Sequence, residues 1–254
     1  MESLPNELEN IIKDYVIYKP KTSKELKESV ELWCENKGKA LTRYGHISNW
    51  DTSLITDMSA LFSSAIGFND NINNWDVSNV TDMSEMFEDA FSFNQPLNSW
   101  DVSEVTDMCL MFDGARSFNQ PLDSWDVSSV TDMETMFYDA NSFNQPLESW
   151  NVASVNNMGE MFMEASSFNQ SLSSWDVSSV ISMYNMFYKA SSFNQPLNSW
   201  DVSSVNIMCD MFGDASSFNQ SLNSWDVSSV INMKSMFAGA ILFDRNNALW
   251  YNFS

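Results

Sequence analysis

The sequence is poor in the residues on which most catalytic sites depend. Its 254 residues include one histidine, His46, and only seven glycines. A lone histidine makes a Ser-His-Asp triad, a Cys-His pair or a histidine-based metal site hard to build, and no glycine-rich phosphate loop is present. The composition therefore predicts a protein that is not an enzyme and has no cofactor.

Long apolar runs are also missing, since none approaches the ~18 residues that span a bilayer. The opening residues are acidic and lack both the basic-then-apolar order of a secretory signal and the cysteine of a lipid anchor. We therefore expect an intracellular, cytoplasmic protein that does not contact membranes.

Basic side chains are scarce: there are 12 against 34 acidic ones, a net charge of −22. The imbalance is local, because residues 1–45 carry eight of each sign, whereas residues 46–254 carry four basic and 26 acidic side chains. Such a negative surface repels phosphate backbones, so nucleic acid is a poor partner and a protein with a basic surface is a better one. The charge boundary also predicts a division into an N-terminal cap, 1–45, and a repeat region, 46–254.

The sequence is rich in one feature, a repeat with a period of 25 residues. Tryptophan recurs with this period from Trp50 to Trp250, and phenylalanine and methionine form parallel columns. A fixed period between about 20 and 50 residues is typical of stacked repeat architectures. A unit of this length is too short for a propeller blade or a helix pair, so we expect one strand and one short helix per unit.

A single unit shows how these two elements are assigned. Leu97, Trp100 and Val102 have the spacing of the strand segment in a leucine-rich repeat, with Trp100 and Val102 inward in a strand over 99–103. From Met108 to Ala115, apolar side chains recur at i, i+3, i+4 and i+7, the spacing of one helix face. The predicted fold is α/β, a leucine-rich-repeat-like solenoid of about eight coils with an N-terminal helical cap.

Polar columns accompany the apolar ones. An aspartate follows each repeat tryptophan from Trp50 to Trp225 except at Asn151, and carboxylates about 4.8 Å apart would repel one another. Two explanations stay open: each carboxylate accepts hydrogen bonds from its own turn, or the column binds Ca²⁺. The asparagine column from 69 to 219 and the glutamine column from 95 to 220 are expected to form ladders between units.

The three cysteines do not form a disulfide framework. Cys109 and Cys209 occupy the same position four units apart, and Cys34 lies in the cap. At strand spacing, four units separate the first two by about 20 Å, beyond the ~7 Å limit for a disulfide. Free thiols agree with an intracellular, reducing environment.

The repeat unit reads F-N-Q-P-L-x-x-W-D-V-S-x-V-T-D-M-x-x-M-F, as at 93–112. It resembles the repeat of the BspA-like, mycoplasma-lipoprotein-type family, and the resemblance extends from residue 46 to about residue 250. That family consists of domains of unknown function related to the leucine-rich repeats, found in bacterial surface lipoproteins, protists and large DNA viruses. The resemblance implies binding to proteins, with no catalytic activity.

Two short helices are expected in the cap, over 7–18 and after the capping box formed by Thr22 and Glu25. They would cover the edge of the first coil. A second interpretation is that residues 4–16 resemble the opening helix of an F-box, the segment that binds a Skp-type adaptor of a ubiquitin ligase. This resemblance implies the following adaptor contacts: Leu4, Pro5, Leu8 and Ile12.

We expect a non-catalytic scaffold that binds a partner protein through outward strand residues of neighbouring coils. The candidate binding residues are Ser99, Asp101, Ser124, Asp126, Ser149, Asn151, Ser174, Asp176, Ser199 and Asp201. Two alternatives stay open, an F-box-type substrate receptor of a ubiquitin ligase and a virion or surface structural or adhesion protein. The partial last coil also has an edge through which two copies could associate.

Overall fold

The computed structural model describes residues 17–253. Two α-helices open this part of the chain, α1 over Ser23–Glu35 and α2 over Lys37–Tyr44. Short 3-10 helices follow at Ile47–Asn49 and, near the other end, at Arg245–Asn247. Between these two 3-10 helices the backbone consists of turns and irregular segments, and consecutive units are joined by isolated parallel bridges.

The prediction of an α/β solenoid built from strand-plus-helix coils is therefore wrong. The segment 99–103 is not a strand, and the segment predicted as a helix, Met108 to Ala115, is a run of successive turns. The one bridge per unit lies at a position that was not predicted, in the column that begins at Asp57 and ends at Asn232. The repeat units stack on one another without forming a sheet.

The segment from Met58 to Ala65 shows why a helical spacing gives no helix here. Every second N–H group, from Met58 to Ser64, donates to a carbonyl oxygen of the next unit at 2.7–2.9 Å. The N–H groups of Leu61 and Ala65 instead bond to the carbonyl three residues earlier. This alternation places Ala60 (φ 53°) and Ser64 (φ 58°) in the left-handed region, which an α-helix does not contain. Each unit has such a segment, here called its turn run.

The core consists of columns of like side chains. From Trp100 to Trp250, consecutive indole rings stack with centroids 6.3–6.5 Å apart. Each indole N–H donates to a carbonyl of the preceding unit, as Trp125 Nε1 does to Leu97 at 3.1 Å, so the polar group is paired inside the core. Trp100, Val102 and the four side chains with helical spacing are buried as predicted; these four are Met108, Met111, Phe112 and Ala115.

The predicted ladder of asparagine and glutamine side chains is confirmed. Asn119 Oδ1 accepts hydrogen bonds from the Asn144 N–H and from Gln145 Nε2, both at 3.0 Å. The same pair of bonds links the other units along the column from Asn69 to Asn194. These bonds hold each unit at a fixed position on its neighbour.

The helix predicted to follow Thr22 is also confirmed. Thr22 Oγ1 accepts a hydrogen bond from the Glu25 N–H, which caps α1. α1 buries Trp33 against the first unit, where its ring lies 5.9 Å from that of Trp50 in an edge-to-face contact. α2 was not predicted, and it begins after Asn36, whose side chain accepts from the Lys39 N–H.

The structure does not test the predictions made for the first 16 residues. All but the last two residues of the helix expected over 7–18, and all of the implied F-box contacts, lie outside the described residues. Those contacts are Leu4, Pro5, Leu8 and Ile12. The division of the chain near residue 45 stays a prediction.

Candidate binding surfaces

The ten predicted binding residues lie along one side of the stacked units, which we call the Asp/Ser face. All ten are exposed, although no strand carries them. They are Ser99, Asp101, Ser124, Asp126, Ser149, Asn151, Ser174, Asp176, Ser199 and Asp201. A partner could therefore reach every position that was predicted for binding.

Hydrogen bonds within the fold already occupy one oxygen of each aspartate on this face. Asp101 Oδ1 accepts from the Ser103 N–H at 3.2 Å and from its hydroxyl at 2.7 Å. Asn151 accepts from the Ala153 N–H at 3.3 Å, so an amide serves the same turn. Hydrogen bonds from the Ser128 side chain and backbone likewise lower the pKa of the Asp126 carboxyl. The first of the two explanations for the aspartate column, bonding within its own turn, is confirmed.

The serines of the Asp/Ser face also take part in the stacking. Ser149 Oγ donates to the Asp123 carbonyl of the preceding unit at 2.7 Å, and Ser174 Oγ donates to the Glu148 carbonyl at 2.6 Å. These residues are nearly the same from unit to unit because each has the same structural task. Their regularity therefore reflects the fold.

A second surface, formed by the outward positions of the turn runs, was not predicted from the sequence. At the positions equivalent to Ser59, Ala60, Ser63 and Ser64, the residue changes from unit to unit, while the flanking motifs hardly vary. Side chains that stacking does not fix are free to differ. This variation between units was the signal in the sequence that could have identified the surface.

Carboxylates dominate this surface in the second to fifth units, and we call them the acidic turn face. Eight of them lie at these outward positions, Glu85, Glu88, Asp89, Asp113, Glu134, Asp139, Glu160 and Glu164, and two directly precede turn runs, Asp107 and Asp132. Two of the ten make ion pairs within residues 17–253: Asp139 with Arg116 at 2.8 Å, and Glu164 with Lys189 at 2.6 Å. The other eight have no cationic side chain within salt-bridge distance in that part of the chain.

Asp113 lies at the centre of this negative charge. Burial, together with repulsion from the carboxylates of Glu88, Asp89, Asp139 and Glu160, raises the pKa of its carboxyl to about 7. A carboxyl with this pKa is partly protonated near neutral pH. A cation brought to this position would therefore relieve an existing repulsion.

Burial shifts the neighbouring groups in the same direction. It raises the pKa of the Asp107 carboxyl, with contributions from Asp82 and Asp132. It also raises the pKa of the Cys109 thiol to about 12, with a contribution from Asp132. A thiol with so high a pKa stays protonated at neutral pH and is a weak nucleophile.

Aromatic rings lie beside these carboxylates. The Tyr184 ring lies against Gly159 in the preceding unit, so closely that a methyl group at Gly159 would overlap the ring. The Tyr184 hydroxyl donates to Glu134 Oε1, one unit farther back. Tyr188 lies against Gly213 of the following unit in a similar way. Aromatic rings next to carboxylates suit lysine and arginine side chains, because the ring faces attract cations.

Two kinds of feature are absent from residues 17–253. Among them, no group of three or more His, Cys, Asp or Glu side chains is arranged to hold a metal ion. Nor does this stretch contain a helix that is long and apolar enough to cross a membrane.

The repeat region is similar to one known protein family. A family model described as "Mycoplasma protein of unknown function, DUF285" matches residues 35–150 and, a second time, residues 133–250. No curated protein and no solved structure matches the chain. The two family matches together include α2 and all the stacked units, which confirms the mycoplasma-type part of the resemblance seen in the sequence. The chain belongs to this repeat family of Mycoplasma proteins of unknown function.

Proposed function

We propose that the protein is a non-catalytic scaffold whose acidic turn face binds a basic segment of a partner protein. The observation that carries this proposal is the group of eight carboxylates without an ion pair, centred on Asp113. A folded protein accepts such repulsion at a cost in stability, and a basic partner removes the cost on binding. Lysine and arginine side chains would meet both the carboxylates and the ring of Tyr184, whereas the Tyr188 ring already has Lys189 over it.

The acidic turn face suits this role better than the Asp/Ser face. On the Asp/Ser face, local hydrogen bonds lower the pKa of the Asp126 and Asp176 carboxyls, so these carboxylates are stable without a partner. The acidic turn face has the opposite property, because the pKa of Asp113 is raised. Its side chains also differ from unit to unit, so a partner could bind at one defined set of units along the stack.

Binding to this face should release protons and should weaken as the salt concentration rises. A cation near Asp113 would lower the pKa of its carboxyl, so binding at pH 7 would release protons. Attraction between exposed charges also weakens as ionic strength rises. Both effects can be measured by calorimetry once a partner is in hand.

The test compares two sets of isosteric changes in the full chain, which is used to purify partners from the native cell for quantitative mass spectrometry. The first set is Glu88→Gln, Asp113→Asn and Glu160→Gln. The matched control changes three aspartates of the Asp/Ser face to asparagine, which keeps the turn acceptor, as Asn151 does naturally: Asp101→Asn, Asp126→Asn and Asp176→Asn.

We expect the first set to reduce recovery of a basic partner about tenfold and the control set to leave it nearly unchanged. The opposite result would move binding to the Asp/Ser face, as the sequence predicted. If neither set changes recovery, the proposal of a charge-driven partner is wrong.

Three further expectations stay predictions. The F-box alternative needs a Skp-type adaptor to co-purify with the full chain and to be lost on Leu8→Ala. The cytoplasmic location and the virion or surface alternative are separated by fractionating the native cell and any particles that it makes.

A further inference from the structure

The hydrogen bonds between turn runs all point the same way along the stack. In each unit the alternate N–H groups donate to the next unit, as Phe187 N–H does to the Met211 carbonyl at 2.9 Å. The last turn run has no such acceptors in the described chain. Its free N–H groups, which we call the donor edge, belong to Met233, Ser235, Phe237 and Gly239.

The opposite end of the stack has the complementary property. There the carbonyl groups of the first turn run, such as those of Asp57 and Ser59, receive no N–H group from a preceding unit. Helix α1 lies beside this end, where Lys24 and Lys27 line a cavity of about 240 Å³ together with Asp57 and Ser59. The chain thus places basic side chains of its own beside its free acceptors.

The donor edge is covered differently. Tyr251 and Phe253 fold back onto the last rings, with centroids 5.1 Å and 5.7 Å from that of Phe237. They close the end of the aromatic columns, but they leave a groove of about 580 Å³, lined in part by Met233, Ser235 and Phe237. The apolar end of the stack is therefore covered, whereas its backbone donors face an open groove.

The charges at this groove are unusual for the molecule. The repeat region contains only four basic side chains, and two of them, Arg116 and Lys189, are in ion pairs. The other two, Lys234 and Arg245, have no ion-pair partner among residues 17–253, and both line the groove. A row of N–H donors and two cations without an ion pair, one of them stacked on the Phe253 ring, thus meet at one place on a strongly acidic protein.

We propose that the donor edge binds an acidic segment of a partner protein that takes the backbone conformation of a turn run. The carbonyl groups of that segment would accept from the free N–H groups, in the same way that each unit accepts from the unit before it. Its carboxylates would lie near Lys234 and Arg245. Edge addition of this kind gives affinity through the main chain and specificity through side chains.

A second copy of this chain fits the groove less well. Two donor edges brought together offer donors to donors and cations to cations. The acceptor end of another copy lies beside its own helix α1, whose Lys24 and Lys27 would face Lys234. The charge and the hydrogen bonds therefore favour an acidic segment over self-association. This surface is also separate from the acidic turn face, so either can be tested without the other.

The test uses a synthetic peptide with the sequence of residues 80–91, labelled for fluorescence anisotropy, and the full chain. In the structure this segment already accepts four hydrogen bonds from the turn run before it, and it carries four acidic side chains. The control peptide has the same sequence with glutamine and asparagine in place of the acids. We expect the acidic peptide to bind about tenfold more tightly than the control. We also expect that advantage to be lost in the Lys234→Glu, Arg245→Glu variant.

Amide hydrogen exchange followed by NMR locates the binding. The free N–H groups of Met233 and Phe237 should exchange fast and become protected when the acidic peptide binds. The equivalent groups of Met208 and Phe212, which are already bonded to the last unit, give the internal reference for protection.

Three results would overturn the proposal. The first is equal affinity for both peptides, and the second is binding that leaves the donor-edge amides unprotected. The third is protection of these amides without peptide in a sample that light scattering shows to be dimeric, because a second copy would then occupy the edge.

Discussion

Removing one central tryptophan tests the stacked core directly. Trp125 is 3% exposed, and its ring stacks between those of Trp100 and Trp150 at 6.4 and 6.5 Å. Its indole N–H also donates to the Leu97 carbonyl in the preceding unit. The change Trp125→Ala therefore creates a cavity and removes one of the two hydrogen bonds that the Leu97 carbonyl accepts, the other coming from the Trp100 N–H at 3.1 Å.

The two effects have different sizes. Truncating a buried aromatic side chain to alanine costs about 3–5 kcal/mol, and losing one hydrogen bond to a carbonyl that keeps another costs about 0.5–1.5 kcal/mol. Because the two overlap, we expect Trp125→Ala to lower the free energy of unfolding by about 5 kcal/mol. Trp125→Phe keeps a ring in the column but loses the N–H donor, so we expect a loss of about 0.5–1.5 kcal/mol from the missing hydrogen bond.

Trp250→Ala is the matched control at the end of the stack. Trp250 is only half-buried and contacts one tryptophan, Trp225, at 6.3 Å, so its removal should cost about 2 kcal/mol. Urea denaturation followed by near-ultraviolet circular dichroism measures all three variants. Amide exchange in each unit shows whether the array unfolds as a whole. Equal costs below about 1 kcal/mol at Trp125 and Trp250 would refute the stacked core.

The remaining predictions concern charge and close packing. Because the folded pKa of Asp113 is raised to about 7, its carboxyl destabilises the fold as pH rises from about 4 through 7. Asp113→Asn should therefore raise the melting temperature at pH 8 and not at pH 4, whereas Asp126→Asn, at a carboxyl of lowered pKa, should not raise it at pH 8. Gly159→Ala forces the Tyr184 ring away and should cost about 1–3 kcal/mol in urea denaturation. Most of that loss should disappear in a Tyr184→Ala background, and a loss of equal size there would show that the ring is not the cause.

The core could be predicted from the sequence because it depends on the period. Each column repeats one residue type, and Trp100 and Val102 are buried as their spacing indicated. The asparagine ladder followed from the same repetition, since amides in register can bond above and below. Where an interaction joins equivalent positions of neighbouring units, a periodic sequence contains enough information to predict it.

The local backbone could not be predicted in this way. Successive three-residue turns bring apolar side chains to one side with the same spacing as a helix, so Met108 to Ala115 fits both. The deciding bonds join residues 24 positions apart, where a local pattern carries no information. Only Gly114 and Gly239 indicated in the sequence that their position in the turn run has a positive φ, because glycine favours that conformation. In the other units the equivalent left-handed position holds residues such as Asp139.

The cap and the acidic turn face were missed for other reasons. α2 has an Asn36 cap and ends before Gly45, which are ordinary helix signals, but both helices expected in the cap lie before it. The acidic turn face is recognised by what changes between units, whereas the repeat is recognised by what stays constant. The raised pKa of Asp113 depends on neighbours from several units, which only the three-dimensional arrangement brings together.

Because the hydrogen bonds between turn runs all point the same way, the number of repeat units in the array can change. Every inner unit presents the same acceptors to the unit before it and the same donors to the unit after it, so recombination between two repeats can add or remove 25 residues without creating a new kind of interface. A gain or loss of any other length would shift all the columns that follow. The number of units therefore sets the distance between helix α1 at one end of the array and the donor edge at the other.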